Sequence, residues 1–232
     1  MSPPTIRSAN LGDIPAIVTI YQPQVIEGTA TFELAPPDEA EMRRRFEAIT
    51  GAGFPYLAAD LEGRLAGYAY AQAFRARPAY RFTVEDSIYV ADGVQGRGVG
   101  KALLGALVAR CTDLGFRQMI AVIGDSERQA PSIALHRALE FEVVGRLPAV
   151  GFKHGGWLDS VRMQRALGVG DTGPPPAGTG GRGRRGRAAR VHRFGSVSGL
   201  AQSMRRAGSS TPSTRARSRP RFRTMPDAAT TL

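Results

Sequence analysis

The spacing of apolar residues changes repeatedly along the first 167 positions, and each change marks an element. TIR, near residue 6, is a short strand. GDIPAIVTIYQPQVI (12–26) carries apolar residues at helical spacing, with Asp13 placed as N-cap and Pro15 in the first turn. TATFEL (29–34) is extended. PPDEAEMRRRFEAIT (36–50) is a second helix, with acids early and bases later, the order a helix dipole favours. YLAADLEGRLAGYAYAQAF (56–74) is a hairpin turning at LEGR, and YRFTVEDSIYVA (80–91) is a long strand. Residues 99–114 form a helix whose apolar face is Leu103, Leu104, Leu107, Val108, Cys111 and Leu114. QMIAVIG (118–124) is a buried strand and APSIALHRAL (130–139) a helix with Pro131 near its start. FEVVGRLPAVG (141–151) and WLDSVRMQRAL (157–167) are closing strands. The order predicts a mixed α/β (α+β) fold. Its sheet is mostly antiparallel, with a strand–helix–strand–helix–strand section in the second half.

The periodicity stops near Gly168. Residues 168–232 are rich in Gly, Pro, Arg, Ser and Thr, and such a segment buries too little apolar surface to offset its ordering entropy. Two parts follow: a folded domain over 1–167 and a disordered tail over 168–232. Charge divides at the same place. The chain carries a net charge of +11, and the tail holds 13 of the 31 basic residues but 2 of the 20 acidic ones. The domain is therefore neutral, with 18 of each sign. The basicity is no footprint of a nucleic-acid-binding domain. The tail is either a polyanion-binding arm or an inert extension, and we adopt the second reading.

Cys111 is the single cysteine, which excludes an intrachain disulfide and a cysteine-based metal site and fits a reducing cytoplasm. MSPPTIRSAN lacks the apolar core of a signal peptide, and no stretch approaches the roughly 20 apolar residues that span a bilayer. A cytoplasmic protein with no membrane partner and no metal is expected.

The chemistry concentrates in VQGRGVGKALL (94–104), where Gly96, Gly98 and Gly100 alternate with other residues between the strand DSIYV and the apolar helix. Glycines let successive backbone N–H groups point into one concavity, and the helix N-terminus adds partial positive charge, so the loop suits a phosphate. Two phosphate motifs fail. A P-loop needs Gly where Gln95 stands and a hydroxyl where Ala102 stands. The dinucleotide fingerprint needs Gly where Lys101 stands. What remains is Q-x-x-G-x-G over Gln95–Gly100.

That segment resembles the acetyl-CoA pyrophosphate loop of the GNAT N-acetyltransferase superfamily. The resemblance extends over residues 5–165 and is greatest to the phosphinothricin and methionine sulfoximine/sulfone N-acetyltransferases. It rests on GTATFE (28–33), FRARPAYRFTVEDSIYV (74–90), PSIALHRALEF (131–141) and VGFKHGGWLDSVRMQ (150–164). It implies the GNAT fold, a twisted sheet with helices on both faces. It implies acetyl-CoA as cosubstrate, held by Gln95, Gly96, Arg97, Gly98, Val99, Gly100 and Lys101, with Ile88, Tyr89 and Val90 pairing with the pantetheine arm and Ser132 nearby. A homodimer is implied as well.

Acetylation of an amine needs a base for the ammonium proton, a donor for the oxyanion and a proton for the departing thiolate. The resemblance assigns the first to Glu85 of TVED; read from the residues alone, Glu85 is equally a solvated strand glutamate. Asp86, on the opposite strand face, is the competing carboxylate. His136 stands four residues after Ser132, where many superfamily members carry a tyrosine that protonates the thiolate. It is an acid, a proton relay or a packed helix histidine. The oxyanion donor is expected at a backbone N–H near Val90.

The implied substrate is a small amine, an amino acid whose side chain ends in a phosphinate, sulfone or sulfoximine. Arg75, Arg77, Tyr80 and Thr83 precede Glu85 and are the candidates for its oxygens, since an arginine fork matches a carboxylate or phosphinate. Phe32, Lys153, His154 and Trp157 are expected to close the pocket from elsewhere. The rivals are an enzyme of the same fold acting on protein N-termini or another amine, and a non-catalytic binder of CoA or nucleic acid. Two residues depart from the family: Glu140 replaces a C-cap glycine, at a cost of about 1 kcal/mol, and Gln129 replaces a common asparagine.

Overall fold

The computed structural model describes residues 3–175; most of the segment expected to be disordered lies outside the described residues. Seven strands form one sheet in the order β1-β2-β3-β4-β5-β7-β6. They are β1 (Thr5–Ser8), β2 (Tyr56–Leu61), β3 (Arg64–Ala73), β4 (Thr83–Val90), β5 (Gln118–Gly124), β6 (Glu142–Lys153) and β7 (Gly156–Ala166). The helices are α1 (Ile14–Ile26), α2 (Glu39–Gly51), α3 (Val99–Asp113) and α4 (Ala130–Arg137). The only parallel pair among the described residues is β4–β5, so the sheet is mostly antiparallel, as its sequence pattern predicted.

Strand alternation divides the core in two. Tyr56 and Tyr68 face α1 and α2, while their neighbours Leu57 and Ala69 join α3 on the other side. Leu103, Leu104 and Leu107 of α3 are fully buried. At about 1.5–3 kcal/mol for each buried aliphatic side chain, this stripe pins the helix whose N-terminus forms the glycine loop. Leu114, expected on the same stripe, is instead the C-cap and is exposed.

Three other expectations need correction. TATFEL is no strand: residues 27–38 form a loop, because the Glu33 carboxylate accepts from Tyr21 of α1 and Arg45 of α2 and the Thr31 carbonyl accepts from Lys153 at the end of β6, where a sheet edge would be needed. The strand expected from Tyr80 begins at Thr83, since Pro78–Tyr80 forms a 3-10 turn before it. Asp13 gives α1 no side-chain cap. Its carboxylate accepts from Arg7 and from the Asn10 N–H, and Asn10 caps the preceding 3-10 turn.

At the other end the ordered chain runs past residue 167. Leu167 is buried and donates to the Arg117 carbonyl, and Arg117 donates to the Gly170 carbonyl at 3.1 Å. No helix among the described residues is long and apolar enough to cross a membrane.

Candidate active site

β4 and β5 pair only over Thr83↔Gln118, Val84↔Met119 and Glu85↔Ile120. Both strands continue beyond that point without bonding to each other, so the sheet opens and the β5-facing edge of β4 from Asp86 onward is free. β3 holds the other edge of β4 as far as Val90. A cavity of about 500 Å³ fills the opening. Ile88, Tyr89 and Val90 form one wall, α4 another, and the glycine loop the floor.

The loop is built for an anion. Gly96 and Gly98 take φ values of 76° and 82°, a region that favours glycine. Gly100 serves packing: a Cβ there would lie 3.1 Å from Leu135 Cδ2, so glycine lets α3 approach α4. The first helical bond runs from the Ala102 N–H to the Gly98 carbonyl at 3.0 Å. The N–H groups of Val99, Gly100 and Lys101 therefore lack helical acceptors and stand at the positive end of the helix. These groups fit a pyrophosphate. Gln95, Gly96, Gly98, Val99, Gly100, Lys101 and Ser132 all line the cavity. Arg97 does not; its guanidinium turns to the carboxylate of Glu62 in the β2–β3 turn.

His136 and Asp86 also line the cavity, and both are buried. His136 Nδ1 lies 2.7 Å from the Ser132 carbonyl and Nε2 lies 3.2 Å from Asp86 Oδ2. Glu85 points to the opposite face, level with Gln72 of β3, and is half-buried. Burial pushes its carboxyl above the ordinary carboxylate range, the neighbouring Asp86 charge adds to this, and a Gln72 hydrogen bond with Arg75 and Arg162 opposes it.

The α1–α2 loop closes over the end of the opening. Lys153 is buried and its ammonium donates to the carbonyls of Gln24 at 3.3 Å and Thr31 at 2.8 Å. Burial pulls its pKa down. His154 Nε2 is 3.2 Å from the Gly28 carbonyl. The Phe32 ring fills a notch at Gly124 and Gly151; a Cβ on Gly124 would lie 2.6 Å from it. Glu33 accepts from the Tyr21 hydroxyl at 3.0 Å and from Arg45 at 2.7 Å. Phe32, Lys153 and His154 thus come together around the α1–α2 loop.

Trp157 stands apart, 68% exposed and edge-on to Phe152. Arg75 lies over the Phe74 ring, Tyr80 meets that ring edge-on, and Arg77 is exposed. These three and Thr83 border the stretch of chain that leads into Glu85.

Sequence reasoning missed the Asp86–His136 contact, the Glu62–Arg97 pair and the tyrosines of GYAYAQ. Tyr68 and Tyr70 stack with Tyr56 behind Glu85. Only the alternation Tyr-Ala-Tyr-Ala signalled those rings, and it does not say what they face.

One departure from the family is accommodated. Glu140 takes φ 63°, and its carboxylate lies 2.9 Å from Arg165. Gln129 lines the cavity and gives α4 no side-chain cap.

Comparison with known proteins agrees with this geometry. The acetyltransferase (GNAT) family model matches residues 17–141. A phosphinothricin N-acetyltransferase of Alcaligenes faecalis is 51% identical over 74% of this chain and 86% of its own. An L-methionine sulfoximine/L-methionine sulfone acetyltransferase of Pseudomonas paraeruginosa is 41% identical over 70% of this chain and 94% of its own. The crystal structure of a GNAT superfamily phosphinothricin acetyltransferase from Sinorhizobium meliloti, in complex with AcCoA, superposes with a TM-score of 0.73. It is 56% identical and covers 76% of this chain and 95% of that one. The loop amides, the parted strands and these likenesses agree: the chain belongs to the GNAT family of acetyltransferases.

Proposed function

We propose that the chain transfers the acetyl group of acetyl-CoA to the α-amino group of a small amino-acid analogue of the phosphinothricin, methionine sulfoximine or methionine sulfone kind. The observation that carries this reading is the gap between β4 and β5. It has loop amides for a pyrophosphate at one end and, where the strands part, a half-buried glutamate with a raised pKa. The names of the Alcaligenes and Pseudomonas relatives supply the substrate class.

In this reading both reactants meet in one ternary complex and no acyl-enzyme forms. Cys111 supports that: burial pushes its thiol up to about 12, far from the activated thiolate a covalent route needs. Glu85 accepts the ammonium proton, and its raised pKa suits a base working near neutrality. The free edge of β4 near Val90 offers backbone N–H groups to the oxyanion, and His136 faces the thiol end. Arg75, Arg77, Tyr80 and Thr83 supply donors for the substrate's oxygens, and the anchored α1–α2 loop with Phe32, Lys153 and His154 closes the pocket.

We further propose a homodimer in the cytoplasm. β6 is an edge strand that exposes Val143, Val144, Val150 and Phe152, a run of apolar side chains that a second copy would cover. The lone buried cysteine suits a reducing compartment.

The test is thiol release by the purified protein with acetyl-CoA against phosphinothricin, methionine sulfoximine, methionine sulfone and unmodified amino acids. Turnover on the analogues well above that on plain amino acids supports the assignment. Equal or absent turnover on the analogues refutes it.

A further inference from the structure

We infer that Asp86 is a positioning residue that holds the His136 ring in its doubly protonated form, so that the α4 side of the cleft carries a proton ready for the departing thiolate. The inference rests on the acetyl-transfer reading above and gives a role to a carboxylate which that reading leaves idle.

Both ring nitrogens face acceptors. Nδ1 is 2.7 Å from the Ser132 carbonyl, which can only accept, so Nδ1 carries hydrogen. Nε2 is 3.2 Å from Asp86 Oδ2, and an ionised carboxylate also only accepts. A neutral imidazole has one N–H and cannot satisfy both. The pair therefore holds one more proton than neutral imidazole and carboxylate together require. The ring takes it, because imidazole is the stronger base of the two and the Ser132 carbonyl already holds hydrogen on its other nitrogen. The result is a buried but neutral ion pair. A neutral ring beside ionised Asp86 would leave one uncompensated charge in the cavity wall where a thiolate must form.

The surroundings favour the same state. Burial alone would lower the His136 pKa, but the Asp86 hydrogen bond and charge, with the Ser132 carbonyl, raise it overall. The Phe141 ring meets the imidazole edge-on at 5.0 Å, and the Phe141 N–H bonds to the His136 carbonyl, fixing the ring at the helix end.

The titratable groups around the pair are few. Glu85 adjoins Asp86 in β4 and feels its charge. Cys111 of α3 also feels that charge and stays a neutral thiol. Lys101 of α3 lines the same cavity, and β5 contributes only Ala121, Val122 and Ile123 to the lining. Arg137 of α4 is exposed, and Glu140 and Arg165 pair with each other beyond the helix.

The step balances. The amine nitrogen bonds to the thioester carbonyl carbon, the C–S bond breaks, and the sulfur takes the Nε2 proton. The ammonium gives up two protons in all; one recharges the ring and the other leaves to solvent.

The test follows the His136 ring nitrogens by NMR during pH titration of the full chain. Its three histidines allow assignment by His136→Gln. The wild-type midpoint is expected above the free value of about 6.5, and that of Asp86→Asn below it. Above about pH 7, Asp86→Asn lowers kcat roughly ten-fold or more and moves the basic limb of the kcat profile to lower pH, with KM for acetyl-CoA little changed. A wild-type midpoint at or below the free value, or an Asp86→Asn titration and pH profile that match the wild type, overturns the inference. The wild-type titration decides even if the variant does not fold. It is also independent of turnover, so failure of the substrate assignment stays distinguishable.

Discussion

Glu85 and Asp86 are consecutive in β4 and serve opposite faces of the sheet: Glu85 stands level with Gln72 on the α1–α2 side, and Asp86 is buried against His136 of α4. The peptide between them lies where β4 leaves β5. In the proposed reaction the two carboxylates of one dipeptide would serve its two ends, the amine on one side and the sulfur on the other.

Glu85→Gln is expected to lower kcat by about 10²- to 10³-fold with KM for acetyl-CoA little changed. Because the Glu85 carboxyl lies above the ordinary carboxylate range, the wild-type acidic limb of kcat/KM falls above about pH 4.3, and the variant loses that limb. The sign for stability is the reverse of that for catalysis. A carboxyl raised on folding favours the folded state at low pH, and this is lost as pH rises through the folded pKa. The glutamine variant should therefore be more stable than wild type at neutral pH. Steady-state pH profiles and urea unfolding measure both effects.

Glu62 competes for Arg97. The pair holds Glu62 below its ordinary pKa and keeps the Arg97 guanidinium turned from the cavity. Glu62→Gln is expected to free Arg97 for the cofactor phosphates and lower KM for acetyl-CoA by roughly two- to five-fold at low salt, with the advantage vanishing at high salt. Initial rates at two ionic strengths test this. An unchanged KM at low salt means that Arg97 does not reach the phosphates.

Lys153 anchors the α1–α2 loop through two carbonyls. Lys153→Met leaves these oxygens without their donor and should lower stability by about 1–3 kcal/mol. The loosened loop should raise KM for the amine far more than KM for acetyl-CoA. Thermal denaturation and two-substrate kinetics give both numbers.

Glu140 holds a backbone conformation that glycine adopts freely, and its ion pair with Arg165 is largely solvent-exposed on the glutamate side. Glu140→Gly is expected to stabilise the domain by about 0.5–1 kcal/mol, since an exposed pair of this kind recovers little of the strain. Chemical denaturation of the two proteins decides it.

Local periodicity was enough to place all seven strands and all four helices approximately, with TATFEL as one strand too many, because side-chain alternation and the helical stripe report burial within one element. The glycine loop was legible for the same reason: its glycines answer to its own backbone at Gly96 and Gly98. The fate of TATFEL was not legible, because strand-forming residues become a strand only beside an open edge, and here Tyr21, Arg45 and Lys153 claim the segment first. Nor did the sequence disclose which groups would meet across the cleft. Asp86 and His136 are 50 residues apart and Glu62 and Arg97 are 35 apart. A hydrogen bond over such a distance exists only once the sheet order and the packing of α3 and α4 bring the two side chains together. The sequence by itself settled the kinds of groups and the faces on which they stand. The tertiary structure decided the partner and the burial of each group, because only packing supplies them.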